Sequence, residues 1–329
     1  MHRVQLIKLR RLRLIMKKRL TIGTRGSDLA LWQAKWVKSA LLRQFPDLSV
    51  DLAVIKTRGD KILDVPLAQV GGKGLFVKEI EEAMLDGKID VAVHSMKDMP
   101  GEVPKGLCIG AIPERENPHD VLISKGNRKL TELPAGARIG TSSLRRASQL
   151  LHFRPDFKIA PLRGNLGTRI EKLTAANLDA IVLAAAGVKR LNLEDKISEY
   201  IDAATLIPAV GQGALCIEIR DNDPEVFNMV GKLDHSATRS AITAERAFLQ
   251  FLDGGCQVPM AAYAVVAGTR LDITAMVAEI DGSRLIMQAA SGQVSDAAAI
   301  GTHLAQDLVD RGAGEILVKL TREFHTNAQ

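Results

Sequence analysis

The chain reads as an α/β protein built of two blocks, followed by a smaller α+β module. Three observations lead there. Strand-like and helix-like segments alternate from about residue 19 to residue 220. Pro- and Gly-containing stretches around 100–118 and 207–213 look like connections between blocks. Beyond residue 260 the pattern changes to three successive strands and a helix. A length of 329 residues suffices for two or three domains, and 46% hydrophobic with 25% charged residues is ordinary for a globular chain.

The first block opens with the strand "RLTIGT" (19–24) and the helix "LALWQAKWVKSALLRQF" (29–45). Ala30, Ala34, Val37 and Leu41 share one face of that helix, and Ser27 or Asp28 can cap it. A strand over 50–57, a helix over 75–85 and the strand "DVAVHS" (90–95) follow. The second block holds "HDVLIS" (119–124), "ARIGT" (137–141), the helix "LRRASQLLHF" (144–153), "FKIAPL" (157–162) and "LDAIVLAAAG" (178–187). The strand "LCIEIR" (215–220) leads into a long helix over 236–252. The tail has strands near 261–267, 270–280 and 284–293 and a helix near 295–312. No internal repeat or low-complexity segment interrupts this order.

The net charge of +6 is concentrated at one end. The first twenty residues hold eight Lys/Arg and no acid, and the remainder carries −2. A near-neutral body with 4% aromatics speaks against a nucleic-acid binder. Arginines interrupt the apolar residues of the leader, so it does not read as a signal peptide, and it lacks the serines of a transit peptide. It is either a membrane-surface or targeting segment, or a dispensable extension with translation starting at Met16. No other apolar run is long enough to span a bilayer. Cys108 and Cys216 lie in apolar runs and read as buried strand residues, and no cysteine or histidine cluster has metal-ligand spacing. The expected setting is reducing, without a structural disulfide and without a metal.

Lysines and arginines recur beside Gly, Ser or Thr just after strands. They do so in "TRGS" (24–27), "TRGD" (57–60), "GGKG" (71–74), "HSMKD" (94–98), "GTSSLRR" (140–146), "LRGNLGTR" (162–169) and "GVKR" (187–190). Ligands of open α/β sheets bind beyond the carboxyl ends of the strands, where helix N-termini favour anions. Seven such loops over two blocks imply one large polyanion in a cleft between two lobes. There is no phosphate-binding Gly-rich motif, and Arg forks suit carboxylates. Asp98, an acid among these bases, suits proton handling or a developing cation, or else caps a turn before Pro100. His94 reads as a packing residue. Cys256 follows two glycines and precedes Gln-Val-Pro, which places a thiol on a loop after a helix.

The motifs "GTRGSDLALWQA", "VGGKGLFVKEIE", "VAVHSMKDMP", "GTSSLRR", "LRGNLGTR", "LPAVGQGAL" and "GGCQVP" resemble, in order and spacing, those of the porphobilinogen deaminase family, also called hydroxymethylbilane synthase. The resemblance runs from about residue 19 to the C-terminus. It implies a transferase of tetrapyrrole and haem biosynthesis that joins four porphobilinogen units head to tail, losing ammonia each time. A dipyrromethane cofactor, held through a thioether to Cys256, primes the chain, and water releases hydroxymethylbilane. The resemblance assigns catalysis to Asp98 and cofactor binding to Lys97, Ser143, Arg145 and Arg146. Substrate carboxylates fall to Arg25, Ser27, Arg163, Arg169 and Arg190, and a loop over the cleft to Lys73 and Phe76. Substitution of Arg145 or Arg163 is expected to weaken binding and leave the fold intact. Gln69 departs from the family's frequent Lys, which puts one cofactor-side contact in question.

The implied fold is two lobes like those of periplasmic binding proteins, crossed twice by the chain, plus a small α+β domain. The expected division is a basic extension 1–18, a first lobe of 19–113 with 214–233, a second lobe of 114–213, and a cysteine-bearing domain of 234–329. A cytoplasmic monomer, with a small-molecule partner and neither nucleic acid nor membrane, completes the expectation. The rival is a non-catalytic two-lobed anion binder, against which Cys256 and Asp98 stand together.

Overall fold

The computed structural model describes residues 17–61, 74–252 and 258–326. Its first sheet is built from β1 (Arg19–Thr24), β2 (Ser49–Val54), β3 (Val91–Ser95) and β4 (Leu107–Ala111), with helices α1 (Asp28–Gln44) and α2 (Lys78–Leu85). The second contains β5 (Asp120–Ser124), β6 (Arg138–Gly140), β7 (Lys158–Ala160), β8 (Ala180–Ala184) and β9 (Glu199–Tyr200). Around it lie α3 (Leu144–Phe153), α4 (Leu166–Ala175) and α5 (Ala185–Arg190). The chain then returns as β10 (Leu215–Arg220) and α6 (Pro224–Val230). The last module is α7 (Ser236–Phe251), strands β11 (Met260–Ala267), β12 (Arg270–Ala278) and β13 (Leu285–Gln293), and helices α8 (Ala297–Leu308) and α9 (Gly314–Thr326).

Both lobes use one strand order. The first sheet runs β2-β1-β3-β10-β4 and the second β7-β6-β8-β5-β9. In each, three parallel strands meet a fourth through one antiparallel strand. That strand is the one that has just crossed from the other lobe: β5 on the way out and β10 on the way back. The double crossover is therefore knitted into both sheets, and the third sheet, β11-β12-β13, stands apart.

The apolar face of α1 follows the expected spacing, with Ala30, Ala34, Val37 and Leu41 all buried against the first sheet. The second sheet is packed on both faces, and α7 and α8 close the core of the third. The two crossings touch at Gly213, whose φ is +89° and where a Cβ would sit 2.3 Å from the Glu116 carbonyl oxygen, so a side chain is excluded there.

Several segments differ from expectation. The strand expected over 50–57 ends at Val54, Arg58–Lys61 of the "TRGD" loop forms one helical turn, and Cys108 is half-buried while Cys216 is buried as expected. The 75–85 helix begins at Lys78, after a turn. The strand expected over 178–187 stops at Ala184, which pairs with Asp120; β5 begins at Asp120, so the ladder has no further partner and α5 starts. "GVKR" is therefore helical rather than a loop. The tail helix ends at Leu308, turns through Gly312 at φ +103°, and continues as α9, which was not expected.

Candidate functional site

β3 runs out at Ser95, and Met96–Asp98 form one 3₁₀ turn. Met96 and Met99 are buried between the first sheet and α7. Anchoring both methionines leaves Asp98 facing a cavity of about 60 Å³, also lined by Arg25, Ser27, Gln33, Phe76 and His94. That volume holds a few waters or a small polar group. Asp98 and Lys97 are half-buried, and among the described residues neither side chain makes a hydrogen bond or ion pair. Burial pushes the Lys97 ammonium down to about 8; Asp98 and Asp120 pull it up, while Arg146 and Arg145 press it lower. Lys97 and Asp98 of the first lobe thus share one electrostatic environment with the arginines of the second.

Arg25 is held on the same side. Its guanidinium pairs with Asp60 and lies 4.2 Å from the centre of the Phe76 ring. Burial raises the Asp60 carboxyl, but Arg25 and Thr57 outweigh it and hold the group below its usual range. Ser27 caps α1, accepting from the Ala30 N–H at 3.4 Å, and lines the cavity.

In the second lobe, Ser143 precedes α3 without capping it through its side chain. Arg145 and Arg146 follow, each 6% exposed, and both reach Asp120, which is 0% exposed. Arg145 Nη1 lies 2.7 Å from one Asp120 oxygen, and Arg146 donates to the other from Nε at 3.1 Å and Nη2 at 2.7 Å. Burial opposes ionisation of Asp120, but the two guanidiniums overcome it and hold the carboxyl far below its usual range. Arg145 also donates to the Ile207 carbonyl at 2.6 Å, and Gln212 donates to Asp120 at 3.0 Å. The pair is thus built into the interior, where loss of one partner strands a buried charge. The expectation that Arg145 can be replaced without cost to the fold is revised accordingly.

Arg163 and Arg169 differ. Asn165 caps α4 by accepting from the Thr168 N–H, which places Arg169 in the first turn. Arg169 donates only from Nε, to the Gly164 carbonyl at 2.8 Å, and the Arg163 guanidinium makes no bond among the described residues. Burial, then Arg146, lowers the Arg169 pKa, with Asp98 opposing. Arg190 ends α5, donates to the Gly213 carbonyl at 2.7 Å and faces Trp32; burial brings it down to about 10. The structure thus brings Asp98, Lys97, Arg145, Arg146, Arg163 and Arg169 into one field, while Arg190 lies at the crossover. Cys256, Lys73 and Gln69 lie outside the described residues.

Sequence reasoning passed over three buried acids. Asp120 opens the apolar "HDVLIS", and an acid there demands partners. Glu245 binds Arg115 at 2.6 Å and accepts from the N–H groups of Gly211 and Ala264, joining a crossover, α7 and the third sheet. Glu218 faces His94 at 3.1 Å, so His94 packs and pairs locally, and beside them burial and then Glu218 push the Glu81 carboxyl up to about 7.

Residues 20–228 match the family described as "Porphobilinogen deaminase, dipyromethane cofactor binding domain", and residues 240–310 match "Porphobilinogen deaminase, C-terminal domain". The chain is 55% identical over 303 residues to the porphobilinogen deaminase of Geotalea uraniireducens, covering 92% of this chain and 95% of that one. With that of Desulforamulus reducens it shares 51% over 302 residues, covering 92% and 98%. Among solved structures, the periplasmic VFT2 domain of Bordetella pertussis BvgS aligns with a TM-score of 0.41 at 11% identity, over 70% of this chain and 92% of that one. The aliphatic sulphonate binding protein SsuA of Escherichia coli aligns at 0.39 and 14%, over 71% and 70%. Two family matches in chain order, and relatives above half identity along nearly the whole length, establish that the chain belongs to the porphobilinogen deaminase family.

Proposed function

We propose that Asp98 is the catalytic carboxylate and that Lys97, Ser143, Arg145 and Arg146 hold the dipyrromethane of this enzyme. Arg25, Ser27, Arg163, Arg169 and Arg190 receive the carboxylates of incoming and growing pyrroles, and Phe76 with Lys73 covers the cleft. The family's reaction is a transfer: four porphobilinogen units are joined head to tail with loss of ammonia, and hydroxymethylbilane is released. The observation that carries the assignment is one unpaired acid, Asp98, among cations that keep free donors, namely Lys97, Arg163 and Arg169. A non-catalytic anion binder has no use for that acid.

The donor set fits a polycarboxylate: guanidinium forks from one lobe face an ammonium from the other. When bound, the dipyrromethane supplies the free α-carbon that begins the chain. Asp98 stands where positive charge develops on the pyrrole as ammonia leaves, and a fixed carboxylate stabilises that state above the neutral ground state. Lys97 remains largely cationic at pH 7 and counters carboxylate charge beside it. Arg163 and Arg169 offer their unspent donors to the acetate and propionate groups, orienting each ring for attack.

We assign residues 19–113 with 214–233 to the first lobe, 114–213 to the second, and 234–329 to the domain whose loop presents Cys256. The reading further takes the enzyme as a cytoplasmic monomer with no nucleic-acid partner. Among the described residues no helix is long and apolar enough to cross a membrane. The test is the intact mass of the purified full chain. A two-pyrrole adduct on the Cys256 peptide, absent from Cys256→Ser, together with ammonia and uroporphyrin from added porphobilinogen, is the expected result. An adduct on Cys108 or Cys216 sinks the anchor assignment.

A further inference from the structure

Asp120 is the first residue of β5, just past the first crossing, and its side chain is fully buried. One carboxylate there serves two guanidiniums, so the group as a whole keeps a single positive charge. The donors can be counted, five to each guanidinium. Arg146 spends Nε and Nη2 on Asp120 and Nη1 on the Val182 carbonyl. Arg145 spends Nη1 on the Ile207 carbonyl, reaches Gln212 from Nη2 at 3.4 Å, and stands 2.7 Å from Asp120 as an ion pair. Arg146 therefore retains two N–H groups and Arg145 three, with each guanidinium held by Asp120 and by a main-chain carbonyl. Gln212, from the second crossing, also donates to Asp120 and to the Pro118 carbonyl, so both crossings lock the carboxylate in place.

We propose that Asp120 is a positioning residue of the reaction: it aims the unspent donors of Arg145 and Arg146 at cofactor carboxylates. The proposal rests on the assignment of both arginines to the cofactor. Asp120 also pulls the Lys97 ammonium up, offsetting part of the push from both arginines.

Asp120→Asn keeps the shape and one acceptor but removes the charge. As isolated, the variant should contain a larger share of cofactor-free protein by intact mass, and should gain the two-ring adduct from porphobilinogen at least about tenfold more slowly, the loss expected for one charged hydrogen bond. In its loaded fraction the KM for porphobilinogen should rise more than kcat falls. The alkaline limb of the pH profile should also move to lower pH, because Lys97 loses its proton sooner. A merely structural acid would lower the thermal midpoint and leave that limb where it is. Asp120→Glu restores the charge on a longer arm and should return the limb but not the loading rate. If Asp120→Asn does not fold, Asp120→Glu decides: loading at the wild-type rate overturns the proposal. Wild-type loading, KM and pH profile in Asp120→Asn overturn it as well. Arg146→Lys separates the two layers of argument. Slow loading there with normal loading in Asp120→Asn removes Asp120 and keeps the cleft assignment, whereas normal loading in both removes the assignment of the arginines.

Discussion

The two lobes share a strand order but bury opposite surpluses of charge beneath the cleft. In the second lobe one carboxylate, Asp120, stands between two guanidiniums. In the first, two carboxylates, Glu81 and Glu218, gather around one imidazole, His94. Guanidinium charge is permanent, so the second lobe is cationic at every working pH. In the first lobe, burial and then Glu218 push the Glu81 carboxyl up to about 7. Symmetric architecture thus carries an asymmetric distribution of buried charge: a surplus of guanidinium in one lobe and of carboxylate in the other. Asp98 and Lys97 stand where the two fields meet.

Breaking the buried pair of the second lobe is the most severe intervention. Arg145→Leu leaves Asp120 short of a partner and should cost about 3–5 kcal/mol of stability. Chemical denaturation measures it, and a midpoint equal to wild type would place Arg145 with the free cations. Next comes the meeting point. Asp98→Asn keeps the shape and loses the charge, and preorganised charge stabilisation is worth about 3–4 kcal/mol per group, so single-turnover extension of loaded enzyme should fall by at least about a hundredfold. Asp98→Glu should retain more activity than Asn. Extension near the normal rate in Asp98→Asn would reduce the "HSMKD" turn to a strand end.

Arg163→Leu tests the other class of cation. With no partner to strand among the described residues, it should unfold at the wild-type midpoint yet bind substrate at least about tenfold more weakly. Loss of stability comparable to that of Arg145→Leu would erase the distinction between buried and free arginines. The last test belongs to the first lobe and is read only against pH. Glu81 binds its proton more tightly when folded than unfolded, its carboxyl being raised from 4.5 to about 7. The folded state therefore holds more protons across that window, and stability must fall as pH rises from about 4.5 to about 7, by about 3 kcal/mol. Glu81→Gln removes the titration and should flatten that segment of the stability curve. An equally steep fall in the variant would assign the titration to a group other than Glu81.

The layout of the lobes was legible because it follows from local rules. Ala30, Ala34, Val37 and Leu41 announce a helix face by spacing alone, and "LCIEIR" declares a buried strand by its composition. The basic segments were only partly legible: "HSMKD" does follow the end of β3, but "GVKR" is helical, because residue type beside Gly, Ser or Thr does not fix where a strand ends. Less visible was the end of β8: "LDAIVLAAAG" is apolar throughout, and only the length of its partner strand stops it. The tail helix was cut at Gly312, where a left-handed turn interrupts an otherwise helical pattern.

By itself the sequence determined the alternation of elements and the family motifs, since each depends on neighbours in the chain or on residue type. Only the tertiary structure decided which cations are spent and which are free. Arg145 and Arg163 look alike in "GTSSLRR" and "LRGNLGTR". One is bound by Asp120, whose partners come from 26 and 92 residues along the chain, and the other has no partner among the described residues. The reason is physical: a charge is neutralised by whatever carboxylate the fold places within about 3 Å, and that proximity is a property of packed strands and crossings.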